Sequence, residues 1–383
     1  MKLNEIINID HVIKWRQYLH QNPELSFHED NTAQYIRGVL TSFKVLDIIN
    51  PTKTSVVAVL DTKVPGPTIA LRADIDALAM QERLDVDYKS KNDGIAHTCG
   101  HDTHTAMLLG ACEALVSISD QLKGKIKFVF QHAEEVLPGG AQEIIATGIL
   151  DDIDEIYGLH VITGVPVGMI KSKPGPITAS SDTFKINLYG KGTHGAQPDK
   201  GIDLAVVCAE FINNIQTIVA RNVVSTTPAV VTIAQINIGT TANIIADSGY
   251  IAGTIRNVDQ KTREFIHKRF KDILEHTMKM HDVNYDLELI LGYSPVVVDM
   301  HCFEVAKKAA IDIVGDHNFE EMKYALMNSE DFSAYTNIKK GCYSIIGGGM
   351  NPNNHHPEFF IDEEALLIGT KLHVQTIYNI LHK

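Results

Sequence analysis

Apolar positions recur at helical spacing in two stretches within residues 11–43, and the step Asn22-Pro23 predicts a break between two helices. Short apolar runs at Ser55–Leu60 and Thr68–Leu71 read as strands, split by the turn signal Val64-Pro65-Gly66-Pro67. From Thr103 to Ser117 the residues Met107, Leu108, Ala111, Ala114 and Leu115 fall on one side of a helix. Lys125–Gln131 and Ile153–His160 read as further strands. Strands alternating with helices predict an α/β fold whose sheet is mixed and mostly parallel, lying between helices.

The rhythm changes between about residues 180 and 290. It runs strand (Thr183–Tyr189), helix (Ile202–Ala220), strand (Ala229–Ile236), strand (Gly249–Ile255), helix (Lys261–Met280), strand (Asn284–Ile290). That order is β-α-β-β-α-β, the ferredoxin-like pattern. Lys173-Pro174-Gly175-Pro176 and Gly292-Tyr293-Ser294-Pro295 flank it and read as hinges. The first rhythm resumes afterwards, with a strand at Cys342–Ile346 and a closing helix at Glu363–Leu381. The expectation is therefore a discontinuous large domain, residues 1–178 and 293–383, with a small domain, residues 179–292, inserted into it.

A chain of 383 residues suits two domains. Its net charge of −13 and the lack of any basic stripe exclude a nucleic-acid partner. No apolar run approaches a membrane span, and the first ten residues lack the basic start and apolar core of a signal peptide. The five cysteines, Cys99, Cys112, Cys208, Cys302 and Cys342, form no paired framework, which favours a reducing cytoplasm.

Chemistry concentrates in a few short segments. His97-Thr98-Cys99-Gly100-His101-Asp102-Thr103-His104 stands just before a helix, and imidazole with thiolate suits borderline-soft divalent metals. The plainer reading is a polar loop with a helix cap. Gln131-His132-Ala133-Glu134-Glu135 ends a strand, where one carboxylate can bind metal while its neighbour moves a proton. A solvated acidic turn is the alternative. His160 closes another strand, and His355-His356-Pro357-Glu358-Phe359 follows the run Gly347-Gly348-Gly349. Arg72-Ala73-Asp74-Ile75-Asp76 also ends a strand, and by itself reads as a strand end turning into solvent. Together these segments place Cys, His and carboxylate groups at successive strand ends of one layer, where α/β sheets gather their ligands.

The ordered motifs resemble the aminoacylase and carboxypeptidase family of co-catalytic metallopeptidases, M20. The likeness is to its amidohydrolase branch of hippurate hydrolases and indole-acetyl-amino-acid hydrolases. Arg16-Gln17-Tyr18-Leu19-His20-Gln21-Asn22-Pro23-Glu24-Leu25-Ser26 is similar to that branch's opening. Arg72–Leu78, Cys99-Gly100-His101-Asp102, Glu134-Glu135, Gly158-Leu159-His160, Thr193-His194-Gly195-Ala196-Gln197-Pro198 and Gly253-Thr254-Ile255-Arg256 follow in the family order. Ala79 and Ile245-Ala246 depart from the usual pattern at places away from the chemistry.

The resemblance implies a metal-dependent amidohydrolase acting on N-acyl amino acids or related small amides, or else a carboxypeptidase or dipeptidase. It implies two divalent ions per subunit, whether zinc, manganese, nickel or cobalt. Their ligands would be Cys99, His101, Glu135, His160 and one His of the 355–356 pair, His355 by the branch's spacing. Cys99 would stand where most of the wider family has Asp, as a bridging thiolate. Glu134 would be the general base and Asp76 the residue that orients a ligand. His194, Asn243 and Arg256 would contact substrate, and the inserted domain would form a homodimer. Without the resemblance, His194 reads as a loop residue and Arg256 as a surface charge. A non-catalytic protein on the same fold would be free to lose these groups, yet all are present. A zinc deaminase would need the His-x-Glu and Pro-Cys-x-x-Cys signature, which is absent.

Overall fold

The computed structural model describes residues 2–383. In chain order, helices α1 (Leu3–Ile6), α2 (Ile9–Gln21) and α3 (Asp30–Ser42) precede strands β1 (Asp47–Ile49), β2 (Val56–Asp61) and β3 (Thr68–Asp74). Next come α4 (His101–Ser117), β4 (Lys125–Gln131), α5 (Gly140–Ala146), β5 (Glu155–Ile162), β6 (Ile170–Ser172) and β7 (Gly175–Pro176). A middle stretch holds β8 (Asp182–Tyr189), β9 (Thr193–His194), α6 (Leu204–Thr217), β10 (Ala229–Ile238), β11 (Ile244–Ile245), β12 (Ser248–Asn257), α7 (Gln260–Met280) and β13 (Asn284–Ile290). The last part adds β14 (Val297–Val298), α8 (Met300–Val314), β15 (Phe319–Glu321), α9 (Ser333–Thr336), β16 (Lys340–Gly347) and α10 (Glu364–Leu381).

These elements form two compact units. The first comprises the chain through Ile177 together with Val296–Tyr324 and Asp331–Lys383. The second comprises Thr178–Pro295 and the short segment Ala325–Glu330. Gly175-Pro176, read from sequence as part of a hinge, instead pairs as β7 with β14 inside the first unit. Helices α5 and α8 are elements that the sequence pattern left unassigned.

The first unit is built on one eight-stranded sheet of order β1-β2-β4-β3-β5-β16-β6-β15. Its centre, β4-β3-β5-β16, is parallel, and β2 joins β4 antiparallel. Every residue of β3 is buried, as expected of a parallel strand covered on both faces. Helix α4 packs against β3, α2 and α10 and is buried around nearly its whole circumference from His101 to Leu115. Helix α2 stops before Asn22-Pro23, and α3 begins where the Glu24 carboxylate accepts hydrogen bonds from Thr32 N at 2.8 Å and Asn31 N at 3.3 Å. An anion there satisfies donors that the first helical turn leaves unpaired.

The second unit has a four-stranded antiparallel sheet of order β10-β12-β8-β13. Along β8, buried positions alternate with more exposed ones, so one face is apolar. Phe184, Ile186 and Leu188 on that face join Leu204, Val207 and Phe211 of α6 and Ile266, Phe270 and Leu274 of α7 in one core. Buried Asp182 accepts from Arg263, from His267 Nε2 at 2.8 Å and from Gly292 N at 3.0 Å. No helix among the described residues is long and apolar enough to cross a membrane.

Candidate metal centre

The parallel strands of the first unit deliver chemical groups at their carboxyl ends. Asp76 lies two residues past β3, Glu134 and Glu135 lie just past β4, His160 is near the end of β5, and His355 lies in the loop after β16. Cys99 and His101 sit where the long β3–α4 connection enters its helix. Gly100 between them has φ +88°, a backbone conformation open to glycine, and it lets consecutive side chains turn into one cluster. Gly158 is equally constrained: a Cβ there would lie 2.8 Å from the Phe332 ring and 3.0 Å from Tyr343.

Five donors from four segments meet. Cys99 Sγ lies 3.5 Å from His160 Nε2 and 3.3 Å from His355 Nε2. His355 Nε2 is 3.3 Å from Glu135 Oε1, which is 3.9 Å from His101 Nε2. The trios Cys99–His101–His160 and Cys99–Glu135–His355 each have donor atoms within 4.8 Å of one another, and they share the sulfur. Glu134, buried, forms a third such group with His101 and Glu135. His356 takes no part: it is exposed, and its Nδ1 accepts from Glu358 N at 3.1 Å.

The histidines are oriented as metal ligands need to be. His101 Nδ1 lies 3.0 Å from Asp76 Oδ1, while its buried Nε2 has no hydrogen-bond partner. His160 Nδ1 lies 2.8 Å from the Val161 carbonyl, leaving Nε2 toward the sulfur. An imidazole anchored through one nitrogen presents the other as a fixed lone pair. An orphaned buried nitrogen surrounded by thiol and carboxylate fits a divalent cation of the Zn type.

The charges point the same way. Burial acts to lower the His101 pKa, but Asp74, Cys99 and Asp76 outweigh it and hold the value well above the usual one. Hydrogen bonds to Cys99 and Glu135 push His355 up to about 10. Burial, with nearby Glu135, raises the Cys99 thiol, whereas burial beside His104 drives His160 well below its ordinary value. Acidic neighbours thus keep protons on His101 and His355 until a cation replaces them, while His160 is already neutral and ready to donate.

Residues 70–379 match peptidase family M20/M25/M40. The chain belongs to this family. It is 41% identical over 286 residues to an N-acyl-L-amino acid amidohydrolase of Geobacillus stearothermophilus, covering 75% of this chain and 77% of that one. It is 38% identical over 358 residues to an N-acetyl-L-cysteine deacetylase of Bacillus subtilis, covering 92% and 84%. Its structure is similar to that of a dinuclear metal-binding M20 peptidase from Bacillus subtilis, with TM-score 0.84, 31% identity and coverage of 96% and 97%. This M20 chain is accordingly a hydrolase.

A supporting layer lies behind the cluster that the sequence alone did not resolve. Asp74 and Asp76, read in isolation as a solvent-facing strand end, are fully buried. Asp74 Oδ1 lies 2.6 Å from His104 Nδ1, and Asp74 Oδ2 accepts from Arg72 at 2.6 Å. His104 Nε2 in turn accepts from Val161 N at 2.9 Å, which occupies both of its nitrogens. Asp102 accepts from Arg16 Nε at 2.9 Å and lies 2.8 Å from His20 Nδ1, so the opening motif braces the residue after His101. The clue was present in sequence as a pair of polar residues within the otherwise apolar spacing of α2, Arg16 and His20 at i and i+4.

His194, Asn243 and Arg256 belong to the second unit. His194 is exposed on β9, opposite Ile244 of β11, and its Nδ1 accepts from Ala196 N at 3.0 Å. The Asn243 carbonyl accepts from Gly195 N at 2.7 Å, so these two stretches are neighbours. Arg256, on β12, is half-buried and donates from Nη1 to the Met327 carbonyl at 2.9 Å.

Proposed function

We propose that this M20 enzyme is a two-metal amidohydrolase that removes the acyl group from small N-acyl amino acids. The observation that carries the reading is the pair of donor trios sharing Cys99 Sγ, with the Glu134 carboxylate beside them. One ion would be held by Cys99, His101 and His160, the other by Cys99, Glu135 and His355, with the thiolate as bridge. When bound, the ions would supply Lewis acidity, lowering the pKa of a shared water toward about 7 and polarising the scissile carbonyl. Zinc, manganese, cobalt and nickel all suit the donor set.

Within that frame the chain's own groups have distinct tasks. Glu134 takes the proton of the attacking water and passes it to the departing amine. Asp76 fixes the tautomer and direction of His101. His194 donates to the developing oxyanion, and Asn243 and Arg256 hold the substrate carboxylate, for which a guanidinium fork is suited. Relatives named as an N-acyl-amino-acid amidohydrolase and a deacetylase support acyl removal. A homodimer formed through the second unit belongs to the same reading, supported by the open edge strand β10 with Ile236 exposed. The five free cysteines support a reducing cytoplasm.

The deciding experiment is hydrolysis of N-acetyl, N-benzoyl and dipeptide substrates before and after exhaustive chelation, with each metal then restored. Loss and metal-specific recovery of activity on the N-acyl substrates is expected. Full activity in verified metal-free protein would sink the mechanism, and a preference for dipeptides would reassign the substrate.

A further inference from the structure

The segment that carries Glu134 and Glu135 leaves β4 through Ala133, whose φ is +50°. That is left-handed backbone, which an L residue with a Cβ resists. Ala133 is fully buried, and its N–H donates to Glu29 Oε1 at 2.8 Å. The same oxygen accepts from Phe27 N at 3.0 Å, and Phe27 also has a positive φ, +65°. Glu29 Oε2 accepts from Thr54 Oγ1 at 2.9 Å, so the carboxylate is held from both ends. On the far side of Glu134, the next backbone N–H, that of Glu135, donates to Asp76 Oδ2 at 3.0 Å. The residues before and after Glu134 are thus tied to two separate buried carboxylates.

We propose that Glu29 is a positioning residue for the reaction: by holding the Ala133 N–H it fixes the left-handed turn that aims Glu134. The proposal rests on the reading of Glu134 as general base. Glu29 touches neither that carboxylate's task nor any donor of the cluster. Its effect runs through one backbone bond, and what that bond requires is an acceptor at the right reach, whatever its charge.

That requirement separates two conservative variants. In Glu29→Gln the amide oxygen still reaches Ala133 and Phe27, and the amide nitrogen meets Thr54 Oγ1, which reverses its role from donor to acceptor. In Glu29→Asp the charge stays and the reach is lost. With both metals confirmed in each protein, E29Q should keep kcat within about threefold of wild type. E29D should lose on the order of 10- to 100-fold in kcat, with KM changed by less than about threefold, as a misaimed base predicts. Adding Ala133→Gly to E29D should recover part of that loss, because glycine takes a positive φ without steric cost. A charge-based role predicts the reverse order, with E29D the better variant, a purely stabilising role predicts wild-type kcat in both folded variants, and neither predicts recovery by A133G.

Wild-type kcat in E29D overturns the proposal, as does an E29Q as slow as E29D. Should E29D not fold, Glu29→Ala, which leaves Ala133 N–H no side-chain acceptor, takes its place: a more than tenfold loss in kcat with metals bound supports the proposal, and wild-type kcat refutes it. Glu134→Gln, assayed alongside, keeps the two readings apart. Full turnover in E134Q would refute the base assignment itself, whereas an inactive E134Q with an unimpaired E29D would refute only the positioning role.

Discussion

Asp76 Oδ1 stands 3.0 Å from His101 Nδ1, and the other oxygen of the same carboxylate accepts from Ser26 Oγ at 2.7 Å and Glu135 N at 3.0 Å. One buried side chain therefore orients a histidine of the cluster and the backbone of a carboxylate of the cluster. Burial would raise the Asp76 pKa, but His101 and these hydrogen bonds hold it below the ordinary carboxylate value. Asp76→Asn presents an amide nitrogen to one set of donors, whichever way it is turned. Metal affinity should fall about 10- to 100-fold, as is usual when an outer partner of a ligand is lost. Competition with a chelator of known affinity measures this. An unchanged affinity would show that His101 is oriented by its packing alone.

Glu134 and Glu135 are adjacent but differ in neighbours. Glu135 Oε1 approaches both His355 and His101, whereas Glu134 is grouped with His101 and Glu135 but not with Cys99 or His355. Glu134→Gln should bind metal normally and lose at least about 100-fold in kcat, since an amide cannot accept the proton. Glu135→Gln should bind less metal. Measuring bound metal and turnover on the same samples distinguishes the two. Near-normal turnover in E134Q would remove the base from the mechanism.

Much of this arrangement was legible in the sequence, because strand ends and metal donors carry local signals. His160 closes an apolar run, Glu134 and Glu135 follow another, and Cys99-Gly100-His101 precedes a helix. What stayed hidden depends on long-range pairing. Nothing local shows that Asp102 faces Arg16 and His20, 86 and 82 residues away, or that Asp74 is buried. Between His355 and His356 the branch's spacing pointed to His355, and the fold brings that ring to Cys99, with φ +64° at His355 and its Nε2 3.3 Å from Sγ. Helix α8 was missed for another reason. Its buried face is carried largely by small residues, Ala306, Ala309 and Ala310, and its N-terminal signal is a single Asp299 accepting from His301 N at 2.9 Å.

Metal binding should release protons. Without a cation, His355 holds its proton up to about pH 10, His101 holds its own well above the usual range, and burial raises the Cys99 thiol. All three must be deprotonated to donate to a metal. Between pH 6 and 8 the apparent affinity should therefore rise about tenfold per unit for each proton displaced. Titration calorimetry in two buffers of different ionisation enthalpy counts those protons. An affinity flat across this range would mean that these groups are not the ligands.

The Cys99 thiol should be shielded by the metals. A metal-bound thiolate is a poor nucleophile, whereas the same cysteine freed of metal is open to alkylation wherever it ionises. Iodoacetamide at pH 9 should label Cys99 several-fold faster after chelation, while Cys112, buried in α4 with its pKa driven well above the ordinary thiol value, stays unlabelled in both states. Peptide mapping separates the two sites. Equal labelling of Cys99 with and without metal would argue against the bridge.

Stability should carry a signature of Glu29. Its carboxyl is fully buried, and burial together with the nearby Asp76 charge pushes its pKa up to about 7 from an ordinary value of 4.5. Below about pH 4.5 the group is protonated whether the chain is folded or not, and it contributes no pH dependence. Between there and pH 7 the unfolded chain gives up the proton while the folded chain keeps it, so stability falls as pH rises. Above pH 7 both states are ionised and the full penalty, about 3 kcal/mol at 1.36 kcal/mol per pH unit, is in place. Glu29→Gln has no proton to lose and no charge to set against Asp76. Relative to wild type, its unfolding free energy should therefore improve by about 2.5 kcal/mol between pH 5 and pH 8, since the unfolded chain is already mostly ionised at pH 5. Urea unfolding of both chelated proteins at the two pH values gives the difference directly, and comparing variants cancels the titration of every other group. If the gap between E29Q and wild type were the same at pH 5 and pH 8, Glu29 would not be the buried acid that the fold makes it.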